Sequence, residues 1–143
     1  MTNTTTQLFY IDDDQDDLEF FKDATDELGE SVALFSLPEE LIKKLHNPPP
    51  SPSVIFMDLN MPVKTGYDIL QHIRDSAAFK DLPLVIYSTS NNTSTFKKCR
   101  DMGASLYITK PTSIGALKKA IQYVIDIDWE NFEATEHNFI YRG

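Results

Sequence analysis

Leu8-Phe9-Tyr10-Ile11-Asp12-Asp13-Asp14 and, further along, Val54-Ile55-Phe56-Met57-Asp58 share one construction, in which four apolar residues run directly into carboxylate. Three similar runs recur at Val32 to Phe35, Leu84 to Tyr87 and Leu106 to Ile108, and each run is followed by a stretch with helical spacing. Their hydrophobicity is continuous rather than alternating, which suits strands buried on both faces of a parallel sheet covered by helices. Leu18, Phe21 and Leu28 share one side of a helix that Asp14 is placed to cap. Ile114, Leu117, Ile121 and Val124 do the same after Thr112 or Ser113. Pro38 with Glu39 and Glu40 reads as the first turn of another helix, where a missing N–H is tolerated and negative charge is favoured. That helix is expected to end near His46, and the prolines between Asn47 and Pro52 require an irregular loop before the third strand. The alternation predicts an α/β fold, a doubly wound parallel sheet of five strands with right-handed crossovers. In such sheets the strand order 2-1-3-4-5 is a common one, and ligands gather beyond the carboxyl ends of the strands.

The composition fits this reading. The chain has 143 residues, 41% hydrophobic and 24% charged, enough for one globular domain with one core. Its lone cysteine, Cys99, has no intramolecular partner for a disulfide, which points to a reducing compartment and a cytoplasmic location. A formal net charge of −9 argues against a nucleic-acid or anionic-membrane binder. No apolar run is long enough to span a bilayer, and the polar Met1 to Gln7 lacks the basic start of a signal peptide. The expected organisation is a polar arm over 1–6, a domain over 7–127 and an extension over 128–143.

The strand ends carry the chemistry. Asp14, Asp16 and Asp17 read as ordinary first-turn acids favoured by the helix dipole. Asp12, Asp13 and Asp58 instead converge at the ends of the first and third strands, where mutual repulsion calls for a cation. Magnesium suits such a set, because it takes hard oxygen ligands from one or two carboxylates and phosphate groups. Ser88 ends the fourth strand, and Lys110 follows the fifth. An aspartate nucleophile flanked by a metal, a hydroxyl and an ammonium has the parts needed to form an acyl phosphate.

Tyr10-Ile11-Asp12-Asp13-Asp14, Met57-Asp58-Leu59-Asn60-Met61-Pro62 with Gly66, Ile86-Tyr87-Ser88 and Tyr107-Ile108-Thr109-Lys110-Pro111 together resemble the receiver domain of two-component response regulators, the chemotaxis receivers included. The resemblance covers roughly Gln7 to Ile127 and implies a flavodoxin-like (βα)5 fold. It further implies that Asp58 accepts a phosphoryl group and that Asp12, Asp13, Asp58 and the Asn60 carbonyl hold magnesium. Lys110 would pair with the phosphoryl oxygens, Ser88 would reach toward them, and Tyr107 would be the aromatic switch that responds. Asn60 and Ser90 match the positions at which the family tunes phosphoryl lifetime. The implied donor is a histidine kinase or a histidine phosphotransfer protein. The implied output is docking to an unidentified downstream protein through the fourth and fifth helices and fifth strand, with Lys97, Lys98, Lys118 and Lys119 as face residues.

Ser88 stands where the family more often has threonine, and Thr112 where phenylalanine is frequent. The segment from Asp128 to Gly143 is too short for an output domain, yet it holds Trp129, Phe132, Phe139, Ile140 and Tyr141. It is expected to pack on the domain, to mediate self-association as a homodimer, or to contact a partner. Two other functions compete with the phosphorylation switch. One is a pseudo-receiver that binds without phosphorylation, and the other is an aspartate-nucleophile phosphatase, whose pattern wants an aspartate where Asn60 stands.

Overall fold

The computed structural model describes residues 6–46, 53–61 and 65–143. Residues 1–5 of the expected arm over 1–6, the proline-rich loop over 47–52 and Pro62 lie outside them. Strands β1 (Gln7–Ile11), β2 (Val32–Phe35), β3 (Ser53–Met57), β4 (Leu84–Ser88) and β5 (Leu106–Thr109) alternate with helices α1 (Gln15–Leu28), α2 (Pro38–His46), α3 (Gly66–Asp75), α4 (Thr93–Asp101) and α5 (Ile114–Asp126). All strand pairs are parallel, and the order is β2-β1-β3-β4-β5, as expected.

Each strand divides its side chains between two layers because successive residues point to opposite faces. Phe9, Ile11, Ile55, Met57, Ile86 and Tyr107 pack toward α2, α3 and α4. Leu8, Tyr10, Val54, Phe56, Val85 and Tyr87 pack toward α1 and α5. Every residue of β3 and β4 is buried, which is why these runs show no polar alternation. Local chemistry fixes the helix starts. Asp14 accepts from the Asp17 N–H at 3.1 Å, and Ser113 from the Ala116 N–H at 3.1 Å, so the second of the two expected caps is the one used. Thr65 and Asp68 form a reciprocal capping box at α3.

The amino-terminal end of the sheet is bound together by Arg74, on α3. Its guanidinium donates to the carbonyls of Gly103 (2.8 Å), Lys80 (2.9 Å) and Leu82 (2.7 Å) and to Ser105 Oγ (3.2 Å). Ser105 Oγ in turn accepts from the Leu84 N–H that begins β4. Gly103 makes this possible, with a φ of 98° that side chains rarely adopt.

The extension folds back on the domain. Trp129 Nε1 donates to the Val124 carbonyl at the end of α5, and its ring packs on Phe132. The chain then runs along the free edge of β5. Tyr107 N–H donates to the Phe139 carbonyl, and Tyr141 N–H donates to the Tyr107 carbonyl, both at 2.9 Å, in a parallel bridge between Tyr107 and Ile140. Phe139 is buried in the same core layer as Tyr107. Of the three expectations for this segment, packing on the domain is the one the fold displays.

Candidate functional site

Register builds the site. Ile11 is paired with Met57, so the next residues, Asp12 and Asp58, leave neighbouring strands side by side. The order of strands reverses between β1 and β3, which opens a crevice at this point. Single carboxylate oxygens of Asp12, Asp13 and Asp58 lie within 4.8 Å of one another, with Asp12 and Asp58 buried and Asp13 exposed. On the other side, Ser88 is paired with Thr109, and the Lys110 N–H donates to the Ser88 carbonyl at 2.9 Å. This contact brings Lys110 over the acids. Its Nζ lies 2.8 Å from Asp12 Oδ2, 2.8 Å from Asp17 Oδ2 and 3.6 Å from Asp58 Oδ1.

The charges are unequally satisfied. Asp12 accepts from Lys110, from the Tyr10 hydroxyl and from the Asp14 N–H. Asp58 has less. Burial first, then the charges of Asp12 and Asp13, push its carboxyl up to about 6 against the opposing pull of Lys110. Burial alone would lower the Lys110 ammonium, but hydrogen bonds to Asp12 and Asp17 and the charges of Asp12 and Asp58 hold it above its ordinary value. Three hard carboxylate oxygens in one crevice, with one ammonium among the described residues, fit the donor set of a divalent cation such as magnesium. Asn60, two residues beyond Asp58, is exposed.

Gly66 permits this crowding. A Cβ there would lie 2.3 Å from the Asp58 carbonyl oxygen, so α3 can begin against the end of β3 only with glycine in place.

Ser88 is fully buried, and its hydroxyl accepts from the Ser90 N–H at 3.4 Å. The Ser90 hydroxyl is taken by Asn92 and Thr95 at the start of α4. Tyr107 is fully buried, its hydroxyl donates to the Ser90 carbonyl at 2.7 Å, and its ring meets Phe96 edge-on at 4.7 Å. One tyrosine therefore touches both the loop after Ser88 and the extension.

The lysines of the expected docking face point to several neighbours. Lys97 pairs with Asp101 at 2.6 Å and borders a groove shared with Phe139 and Arg142. Lys119 borders a second groove with Tyr141 and Arg142. Lys98 sits over the Tyr67 ring, and Lys118 reaches Glu27 on α1.

The receiver domain family of response regulators matches residues 8–122. This chain belongs to that family. The receiver is 32% identical over 84 residues to the Arabidopsis thaliana two-component response regulator ARR9, covering 59% of this chain and 36% of that protein. It is 39% identical over 72 residues to ORR12 of Oryza sativa subsp. japonica, covering 50% of this chain and 60% of that protein. The chain thus spans less than two thirds of the length of these relatives. Among solved structures, the Vibrio cholerae chemotaxis response regulator CheY4 aligns with a TM-score of 0.74 at 23% identity, over 85% of this chain and 99% of that one. RPA3017, a response regulator in red light signaling of R. palustris, aligns with a TM-score of 0.75 at 18% identity, over 91% of this chain and 99% of that one. Both share the fold. Among the described residues, no helix is long and apolar enough to cross a membrane.

Asp17 and Tyr10 are the site residues that sequence reasoning missed. Asp17 was expected to be a solvated first-turn acid, and its carboxylate instead binds Lys110. A signal existed, because Asp17 extends the helical stripe of Phe21, Ala24 and Leu28. An acid on an apolar stripe calls for a partner. Tyr10 looked like a core aromatic, and it is one, with its hydroxyl serving Asp12.

Proposed function

We propose that this receiver takes a phosphoryl group onto Asp58 from a phosphohistidine on a histidine kinase or phosphotransfer protein, and that the modification changes which protein it binds. The observation that carries this reading is the meeting of the Asp12, Asp13 and Asp58 oxygens within 4.8 Å, with the Lys110 ammonium 3.6 Å from Asp58. The naming of its relatives as two-component response regulators supports it.

In the proposed transfer an Asp58 carboxylate oxygen attacks phosphorus. The O–P bond forms as the N–P bond breaks, and the electron pair of that bond returns to the imidazole. Asp12, Asp13, Asp58 and the Asn60 carbonyl would hold magnesium, which when bound offsets the negative charge that gathers on the phosphoryl oxygens. Lys110 supplies a second positive charge, and Ser88 a hydroxyl. Drawing Ser88 toward the phosphoryl group moves the loop whose Ser90 carbonyl holds the Tyr107 hydroxyl, so the covalent charge biases an element on the β5 side. Asn60 and Ser90 are the proposed tuners of lifetime. Lys97 and Lys119, beside the extension, are the proposed members of a docking face, with Lys98 and Lys118 at its margins.

The test is intact mass after incubation with magnesium and a small-molecule phosphoryl donor. The native protein should gain one phosphoryl group, while Asp58→Asn, or the native protein with a chelator, should gain none. Absence of any gain in the native protein would favour phosphorylation-independent binding, and multiple-turnover hydrolysis of an unrelated phosphate ester would favour a phosphatase.

A further inference from the structure

Among the described residues the Lys110 ammonium is the only cationic group paired with the acidic crevice, and it is divided among three carboxylates. Two of the three, Asp12 and Asp58, belong to the cluster that suits a metal. Asp17 does not. It stands in the first turn of α1, its side chain is 36% exposed, and its Oδ2 lies 2.8 Å from Nζ, a full hydrogen bond. The distance from Nζ to Asp58 Oδ1, 3.6 Å, is too long for one.

From this geometry we infer that Asp17 is a positioning residue that holds the Lys110 ammonium away from Asp58 in the unmodified protein and competes with the phosphoryl group for it. An ammonium has three donors on a compact head, and one donor committed to Asp17 fixes its direction. Closing on a group bonded to Asp58 requires that commitment to weaken. Asp17 therefore stabilises the resting state more than the modified one, and differential stabilisation of this kind shifts an equilibrium between two states. The inference rests on the phosphoryl-acceptor reading above.

The test uses the full chain with magnesium and beryllium trifluoride, an anion that bonds to a carboxylate oxygen as a phosphoryl mimic, with affinity read by fluorine NMR. Asp16→Asn is the control, since it removes the same charge from the same turn without touching Lys110. Asp17→Asn should bind the mimic about two- to fivefold more tightly than Asp16→Asn, the range of a partly exposed ion pair, and Asp17→Glu should return toward the native affinity. In a Lys110→Ala background, with folding checked by circular dichroism, the difference between the two asparagine variants should vanish.

Equal affinities for Asp17→Asn and Asp16→Asn would overturn the inference and leave the function standing. So would weaker binding by Asp17→Asn, or a difference that persists without Lys110. If the native protein binds no mimic and gains no phosphoryl mass, the functional reading fails and the role of Asp17 falls with it.

Discussion

At the carboxyl ends of β1 and β3, Asp12 and Asp58 share with Asp17 of α1 the one ammonium that the described residues bring there, that of Lys110, and Asp13 stands beside Asp12 and Asp58. Along the outer edge of β5, two backbone hydrogen bonds and the buried Phe139 ring close the sheet with no charge involved. The first region is under-neutralised, and its carboxyl at Asp58 is pushed up to about 6 by burial and neighbouring acids. The second is satisfied by the chain itself. One region therefore carries charge that cations or protons can offset, and the other is joined by backbone bonds and an apolar ring that carry none. Tyr107 joins the two, because its hydroxyl serves the loop after Ser88 and its backbone serves the extension.

The largest test of this contrast is Gly66→Ala. The added carbon would meet the Asp58 carbonyl oxygen at 2.3 Å, so either β3 or α3 must shift, at a cost of about 4 kcal/mol in urea unfolding. Magnesium affinity should fall in parallel, and an unchanged affinity would show that the crevice does not depend on that close approach. Phe139→Ala should cost about 3 kcal/mol through the cavity left beside Tyr107. Its loss should be the same with and without magnesium, and a metal-dependent loss would break the separation of the two regions.

Asp58→Asn should act in the opposite direction, stabilising the metal-free protein by about 3 kcal/mol at neutral pH. Native Asp58 keeps its proton up to about 6, whereas in the unfolded chain it loses it near the ordinary value of 3.8. The native state binds more protons in that window, so stability falls as pH rises through it. The gain from Asp58→Asn should accordingly be full above pH 6 and absent below about pH 4, as read by thermal melts in chelator. A gain independent of pH would place its origin outside the charge. The smallest effect is expected for Tyr107→Phe, which removes one hydrogen bond to the Ser90 carbonyl and should cost about 1 kcal/mol. If that variant also changes the response of the extension to phosphorylation, as measured by hydrogen exchange at Tyr141, the link between the regions is sharpened to one hydroxyl.

The two regions also differ in how far the residues alone reveal them. The five strands were legible because burial on both faces leaves unbroken apolar runs, and Asp12, Asp13, Asp58, Ser88 and Lys110 were legible because each stands where a run stops. Asp17 was hidden by company: several acids share its turn, and the helix dipole explains all of them equally well. The strand-like lie of 139–141 was hidden for another reason. It is held to β5 through backbone groups, which every residue carries, so only the aromatic residues signalled a contact and nothing signalled its register. The pairing of Lys97 with Asp101, four residues on in α4, is what helical spacing encodes, whereas the placement of Lys98 over Tyr67, of Lys118 against Glu27 and of Lys119 beside Tyr141 is tertiary information that it does not.

Arg74 sits at the far end of the sheet from this chemistry and bounds what the molecule can do in response to it. Its planar fork ties the segments entering β4 and β5 and the one leaving α4 to α3, through Lys80, Leu82, Gly103 and Ser105. Sliding α4 or β4 as a rigid rod would break several of these bonds together, while rearranging only the residues after Ser88 breaks none of them. The domain is in effect a cantilever clamped at the amino-terminal edge of β4 and β5, so on the proposed function a covalent charge at Asp58 would be spent on bending the residues after Ser88 instead of displacing the whole layer.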